Sequence, residues 1–349
     1  MLYGVLAAVL FGVGVPLSKL LLRDVDPILL AGLLYAGAGI SLGLLVLVRR
    51  ALGARELEAR LERRDLPWLA GAVLAGGVAG PILLLVGLER TSAATASLLL
   101  NLEVVATGLF ALALFRERVG LRTWGAIAAV AAGGALLSLD PSSGWTGSLG
   151  ALAVVGACFA WGLDNNLTGR ISLKDPSRIV AVKGLAAGSF SLALAAGLGR
   201  LWPAWSQVLL ALLLGAASYG ASISLFVQSL RRVGAARTGV LFGLAPFVGA
   251  ALSLLVFREL PGWAFFVSLG LMAAAAFVLA GERHEHRHVH LDTVHAHAHR
   301  HDDGHHAHDH PDGVAAATRH AHAHAHPRLL HSHPHAPDAH HRHPHRKAG

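Results

Sequence analysis

Residues 88–117 read LERTSAATASLLLNLEVVATGLFALALFRE, and residues 230–259 read LRRVGAARTGVLFGLAPFVGAALSLLVFRE. The second stretch aligns with the first without a gap after a shift of 142 residues. Ten of the thirty positions are identical: Leu88/Leu230, Arg90/Arg232, Ala93/Ala235, Ala94/Ala236, Leu99/Leu241, Leu102/Leu244, Leu112/Leu254, Phe115/Phe257, Arg116/Arg258 and Glu117/Glu259. Leu and Ala matches carry little weight in so apolar a chain, whereas the leading Arg and the closing Phe-Arg-Glu do. Each copy is an apolar helix long enough to span a bilayer, bracketed by charges. An ordered repeat of this kind predicts a membrane body built from two like halves.

Composition supports a membrane body. Of 349 residues, 54% are apolar and 14% charged, against about 25% charged in an ordinary soluble domain. The mean hydropathy is +0.54. The formal charge of +8 does not signal nucleic-acid binding, because the basic excess falls in loops on one side. Cys158 is the only cysteine, which excludes an intramolecular disulfide. The N-terminus runs directly into apolar sequence, so residues 2–22 are expected to be a retained first span rather than a cleaved leader.

A hydrocarbon core roughly 30 Å thick needs about 20 helical residues. On that rule the fold class is all-α integral membrane with ten transmembrane helices. They are expected at residues 2–22, 28–48, 67–88, 92–112, 121–139, 148–169, 178–199, 207–229, 236–256 and 261–280. With the N-terminus inside, fifteen Arg and Lys fall in inner loops and four in outer loops, so both termini are expected to be cytoplasmic. Five spans per half is odd, so the halves must enter the membrane in opposite directions as inverted repeats. The organisation expected is residues 1–140 for the first repeat, 141–281 for the second and 282–349 for a tail. Gly39 and Gly43, Gly76 and Gly80, and Gly239 and Gly243 each stand four apart, a spacing that suits close helix packing. The basic, helix-prone loop 49–66 is expected to lie on the anionic inner surface.

The two tandem halves, each ending its fourth helix near an apolar-x-Glu, resemble the ten-helix EamA branch of the drug/metabolite transporter superfamily. Phe11-Gly12 followed by Pro16 and Lys19 resembles that family's first-helix pattern, and Ala160-Trp161-Gly162 resembles the opening of its second half. Leu244-Ala245-Pro246 is similar to the Leu-x-Pro of its substrate-lining fourth helix. The first half departs from this, with Val104 where the second has Pro246, preceded by Asn101-Leu102-Glu103. The resemblance covers about residues 1–281. It implies export of small solutes, commonly driven by a proton gradient.

Ionisable groups inside a span are costly and face a cavity or a partner. Glu103, midway along the fourth span, is too deep to reach water, and a carboxyl there suits proton exchange; the alternative is a structural hydrogen bond to a neighbouring helix. Asp164, Asn165 and Asn166 cover most of a helix turn at the inner end of span six, so at least one faces protein. Lys183 is expected in the same inner third, where an Asp164–Lys183 ion pair competes with a gating role. Lys19 either snorkels to the outer surface or serves transport. Asn101 and Gln228 could line a path or bond across helices. Glu117 and Glu259, beside Arg116 and Arg258, read as helix-end ion pairs.

All 23 histidines lie after residue 283. They alternate with other residues, as at His295, His297, His299 and His301, at His305, His306, His308 and His310, and at His320, His322, His324 and His326. The expectation is a disordered tail whose imidazoles, with Asp302, Asp303 and Asp309, bind zinc, nickel, cobalt or copper collectively, no single ligand being assignable. No cofactor is required.

The leading functional expectation is a secondary active transporter of the bacterial inner membrane that exports a small solute by alternating access, with proton coupling through Glu103. The alternatives are a divalent-metal exporter fed by the tail, and a membrane-anchored metal buffer or sensor. An enzyme is not expected, because no nucleophile–base set, nucleotide loop or HExxH spacing is present. The expected partners are the lipid bilayer and a small-molecule or ion substrate, with no nucleic acid. Monomer and dimer are both compatible with two halves in one chain.

Overall fold

The computed structural model describes residues 1–53, 61–115, 121–139, 144–171, 174–233, 238, 241–258 and 261–280, together with the backbone of 284–290, 293–299, 320–326 and 329–335. Up to Ala280 the described chain is helical. We number the helices α1 (Leu2–Leu21), α2 (Pro27–Ala51), α3 (Arg63–Arg90), α4 (Ala93–Leu99 and Leu102–Phe115) and α5 (Leu121–Ser138). They continue as α6 (Gly144–Gly169), α7 (Pro176–Gly197), α8 (Trp205–Gly215, Ala216–Ala221 and Ser222–Val233), α9 (Ala245–Phe257) and α10 (Trp263–Ala280). Seven of these are long and apolar enough to cross a membrane, and Trp124–Ser138, Ala245–Phe257 and Trp263–Val278 are shorter apolar helices. Arg116, Glu117 and Glu259, expected as helix-end ion pairs, lie outside the described residues, as do residues 54–60 of loop 49–66 and Gly239.

Local chemistry sets the helix starts. Asp26 caps α2 by accepting from the Ile28 and Leu29 amides at 2.9 and 3.3 Å, with Pro27 at the first helical position. Asp175 caps α7 in the same way through the Ser177 amide, again ahead of a proline. A side-chain acceptor and a residue with no amide proton together satisfy the orphan donors of a helix start.

The second helix of each half, α2 and α7, form the most intimate pair. Gly32 lies against Leu192, Ala36 against Gly188, and Gly39 against Gly184 and Leu185, so the two run antiparallel. Their backbones nearly touch: a Cβ on Gly184 would stand 2.6 Å from the Gly39 amide nitrogen, and one on Gly188 2.7 Å from that of Ala36. This is the small-residue packing expected for Gly39, although Gly43 faces open space.

The remaining neighbours occur as related pairs. α1 packs parallel to α9, with Gly4 beside Leu241, just ahead of α9, and Gly12 beside Ala245 and Gly249, and α6 packs parallel to α4 in the other half. α3 lies antiparallel to α6 from Gly71–Leu167 to Gly87–Val154, and α8 lies antiparallel to α1, where Ser222 donates to the Ala7 carbonyl at 2.9 Å. The last helices of the halves, α5 and α10, also pack together, Ser268 donating to the Gly133 carbonyl at 2.9 Å.

Two departures from regular α-helix recur in both halves. α3 contains a π-helical segment at Val73–Ala79, and α8 contains one at Ala216–Ala221. The expected continuous helix at 92–112 is instead broken at Leu100–Asn101, and the chain is likewise in a turn at Gly243–Leu244 before α9. The causes of the two breaks differ. Asn101 donates its side-chain amide to the Leu98 carbonyl at 2.9 Å, competing with the backbone for that acceptor. Pro246 has no amide proton to continue the preceding turn.

One end of the body is held by ion pairs between the halves. Lys174, buried between α6 and α7, contacts Glu62 at 2.6 Å and Asp65 at 3.5 Å, and Arg170 lies over the Trp68 ring at 5.4 Å. The hydrogen bond from Lys174 holds the Glu62 carboxyl below its ordinary value of 4.5. The folded state therefore binds this proton less readily than the unfolded state. The contact contributes its full stability above pH 4.5 and loses it as pH falls through the lowered value. Unfolding in detergent between pH 7 and pH 3 is expected to show a loss of stability beginning below about pH 4.5, reduced in Lys174→Gln. An identical acid limb in that variant would mean that Glu62 does not contribute.

The sequence reading places no regular structure after residue 282. In the structure four segments there are extended: β1 (His284–His290), β2 (Thr293–His299), β3 (His320–His326) and β4 (Leu329–His335), with β1 paired antiparallel to β4 and β2 to β3. The His-x-His alternation has a period of two, the period of a strand. His301, His305, His306, His308 and His310 lie outside the described residues.

Candidate functional site

Five of the polar residues expected inside the spans, Glu103, Asp164, Asn165, Asn166 and Lys183, converge where α4, α6 and α7 meet. Glu103 stands in the first turn after the break in α4, and its backbone amide bonds back to the Leu100 carbonyl at 3.0 Å. A helix start favours a carboxylate. Because α4 and α6 run parallel, Asn165 comes level with it. The Asn165 amide donates to Glu103 Oε1 at 2.8 Å and to Thr107 Oγ1 at 3.1 Å. Thr107 in turn donates to the Glu103 carbonyl at 2.8 Å, while Asn166 donates to the carbonyls of Thr107 and Gly162 at 3.0 and 2.8 Å. Glu103 is half-buried and Asn165 exposed, so this network opens onto space outside the packed core.

One residue before Asn165, Asp164 is buried and forms an ion pair with Lys183 of α7. Its other oxygen accepts from Thr168 at 2.9 Å. The Asp164–Lys183 pairing anticipated from sequence is therefore present, and it adjoins the Glu103 network through the α6 backbone.

The π-helical segment of α3 completes this region. Gly80 bonds its amide to the Ala75 carbonyl, five residues back, and residue 81 is a proline with no amide proton. The Gly76 carbonyl is thereby left without a helical donor. It accepts from the Tyr35 hydroxyl at 2.6 Å and from Trp161 Nε1 at 2.9 Å, as a buried carbonyl must accept from something. Gly76 also leaves room for the Asp164 carboxyl, which a Cβ at that position would overlap.

Aromatic rings extend from this point between the halves. Tyr35 and Tyr219 rings lie 5.4 Å apart, Tyr219 and Phe11 5.9 Å, Phe11 and Phe242 5.3 Å, and Phe242 and Phe226 4.9 Å. Tyr219 sits within the π-helical segment of α8. Sequence reasoning missed Tyr35, Thr107 and Tyr219 as parts of a site. A usable signal existed: of three tyrosines in the chain, two lie deep in predicted spans.

The other expected residues lie apart from this cluster. Lys19 donates to the carbonyls of Leu88, Glu89 and Thr91 at the end of α3, an attractive place for a cation. Arg200 and Asp26 pair at 3.3 Å. Asn101 is buried at the α4 break and approaches Met272 Sδ at 3.7 Å. Gln228 is half-buried on α8, outside the network. Among the described residues no group of three His, Cys, Asp or Glu could hold a metal ion.

Apolar helices of spanning length, interrupted at corresponding places in two halves and gathered around a polar cluster, define a multi-pass membrane transporter. Residues 1–139 and 148–281 each match the EamA-like transporter family, and the chain belongs to that family. It is 31% identical over 266 residues to a protein of Methanothermobacter thermautotrophicus described as an uncharacterized transporter, covering 72% of this chain and 78% of that one. It also resembles a protein of known crystal structure at a TM-score of 0.58 and 21% identity, over 80% of this chain and 95% of the other. That likeness concerns the fold alone. The tail lies beyond both matched stretches.

Proposed function

We propose that this chain is a secondary active carrier that exports a small solute by alternating access, with proton exchange at Glu103. The observation that carries this reading is the placement of Glu103 just after a helix break, hydrogen-bonded across α4 and α6 to Asn165. Paired interruptions in corresponding helices are the best pointer to a carrier's binding site. The antiparallel course of α2 and α7, the second helices of the halves, supports a body of ten helices in two inverted repeats. The loop charges, with Arg63, Arg64, Arg170, Lys174 and Arg178 at one end, support a reading with both termini in the cytoplasm and the chain in the inner (plasma) membrane.

An organic solute is favoured over a metal ion as cargo. The polar cluster offers one half-buried carboxyl with amide and hydroxyl partners, bordered by aromatic rings, and Asp164 is already engaged by Lys183. Such a mixture of few polar groups and apolar walls suits a small organic molecule.

Reconstitution into proteoliposomes tests the reading. An imposed pH gradient is expected to drive a member of a panel of amino acids, organic acids and organic amines, while zinc, nickel and cobalt ions remain in place. Gradient-driven metal flux with no organic flux would replace the organic cargo by a metal. Failure of every compound to move in correctly folded, membrane-inserted protein would overturn the carrier reading itself.

A further inference from the structure

α6 lies against two interrupted helices and donates to a released carbonyl on each. Trp161 Nε1 reaches the Gly76 carbonyl in the π-helical segment of α3 at 2.9 Å. Three residues earlier, Cys158 donates its thiol to the Leu99 carbonyl of α4 at 3.4 Å. Cys158 and Leu99 are both fully buried.

The second contact falls at the α4 break. In an uninterrupted α-helix the Leu99 carbonyl accepts from the amide four residues on, that of Glu103. Here the Glu103 amide turns instead to the Leu100 carbonyl at 3.0 Å. Asn101 holds the neighbouring Leu98 carbonyl twice, through its backbone amide at 3.1 Å and its side chain at 2.9 Å. Leu99 is thus deprived of its helical donor in a place away from water, where an unpaired carbonyl is costly. A thiol is a weak donor, but it stands where the Glu103 amide has left. Cys158 and Asn165 are seven residues apart, close to two turns, so they share one face of α6. One grips α4 ahead of the break, and the other grips the Glu103 carboxyl beyond it. Between them Gly162 lets the backbones close, since a Cβ there would stand 2.7 Å from the Ala106 Cβ and 2.8 Å from the Thr107 amide nitrogen.

The other half has a break without such a donor. Gly12 of α1 answers to Gly162 of α6, because each lies against the fourth helix of the opposite half. Four residues before these glycines stand Ala8 on α1 and Cys158 on α6. Ala8 is buried and has no side-chain donor. The α9 break that it accompanies precedes Pro246, which has no amide to close it. α4 carries Val104 at the corresponding position, so its backbone is free to run on as helix and its opening is left to side chains.

From these contacts we infer that Cys158 is a positioning residue for Glu103. Its thiol holds the Leu99 carbonyl, so that Glu103 begins a new helical segment with its carboxyl level with Asn165. Without that donor the Leu99 carbonyl recovers the Glu103 amide, α4 becomes continuous, and the carboxyl turns away from Asn165. The inference rests on the proton exchange proposed for Glu103.

Infrared spectra of the full-length protein in liposomes, with no solute added, test it. Cys158 is the only cysteine, so the S–H stretching band belongs to it alone. That band is expected below the frequency of a free thiol in alkane, as a hydrogen-bonded donor requires. The Glu103 carboxyl bands are identified by subtracting the spectrum of Glu103→Gln. They are expected to stay in place in Cys158→Ser, which keeps a donor, and to be displaced in Cys158→Ala, which does not. For a solute that the parent moves from a panel of amino acids, organic acids and organic amines, gradient-driven flux is expected to fall about two- to tenfold in Cys158→Ala, the span of one hydrogen bond, and to recover in Cys158→Ser. An S–H band at the free-thiol frequency would overturn the inference, and that readout needs no variant to fold. Glu103 bands alike in parent and Cys158→Ala would overturn it too, as would equal displacement in both variants, which would make Cys158 a matter of volume alone. A parent that moves no solute would sink the carrier reading, while the spectra still decide whether Cys158 positions Glu103.

Discussion

Asp164→Ala is expected to destabilise the protein by about 3–5 kcal/mol, because it leaves the Lys183 ammonium in a buried position with its counter-charge gone. The pair is well shielded: the two side chains retain 8% and 15% of their exposure. Lys183→Met should cost a similar amount by orphaning the carboxylate. Removing both charges together, in Asp164→Leu with Lys183→Met, is expected to restore most of the loss, since a buried pair and its apolar replacement are often close in free energy. Thermal or denaturant unfolding of the four proteins in one detergent reads this cycle directly. Single variants that unfold like the parent would show that water reaches the pair in the folded protein. Transport by the double variant adds a second distinction, because a pair that only fastens α6 to α7 leaves transport intact when both charges are gone.

Glu103→Gln should separate structure from coupling. The glutamine oxygen can still accept the Asn165 bond, so unfolding is expected to change little. The substituted group can no longer take up or release a proton. Gradient-driven flux in proteoliposomes is expected to fall roughly 5- to 150-fold, the range set by a coupling free energy of about 1–3 kcal/mol. Exchange of labelled solute with no gradient should fall much less. Equal losses in both assays would make Glu103 a substrate ligand rather than the coupling group. Unchanged flux in both would remove it from the mechanism.

The paired interruptions give these substitutions their setting. In the first half the α4 break is made by an asparagine that takes its own helix's carbonyl, and in the second half the corresponding break precedes Pro246. A sequence motif search finds the proline and passes over Asn101, although both leave the helix open at the same place. The π-helical segments are harder still to see. Pro81 gives a hint in α3, whereas Ala216–Ala221 contains no residue that would announce one.

Sequence alone determined the membrane class, the two-halved organisation, the boundary ahead of the histidines and the short set of intramembrane polar residues. Those properties follow from apolar run length, a 142-residue self-match and the cost of burying charge, all of which are written along the chain. Tertiary structure decided which polar residues share a site. Glu103 and Asn165 are 62 residues apart and Tyr35 and Gly76 are 41 apart, and no periodicity relates them. Their meeting depends on α4 running parallel to α6 and on a carbonyl released by the π-helical segment.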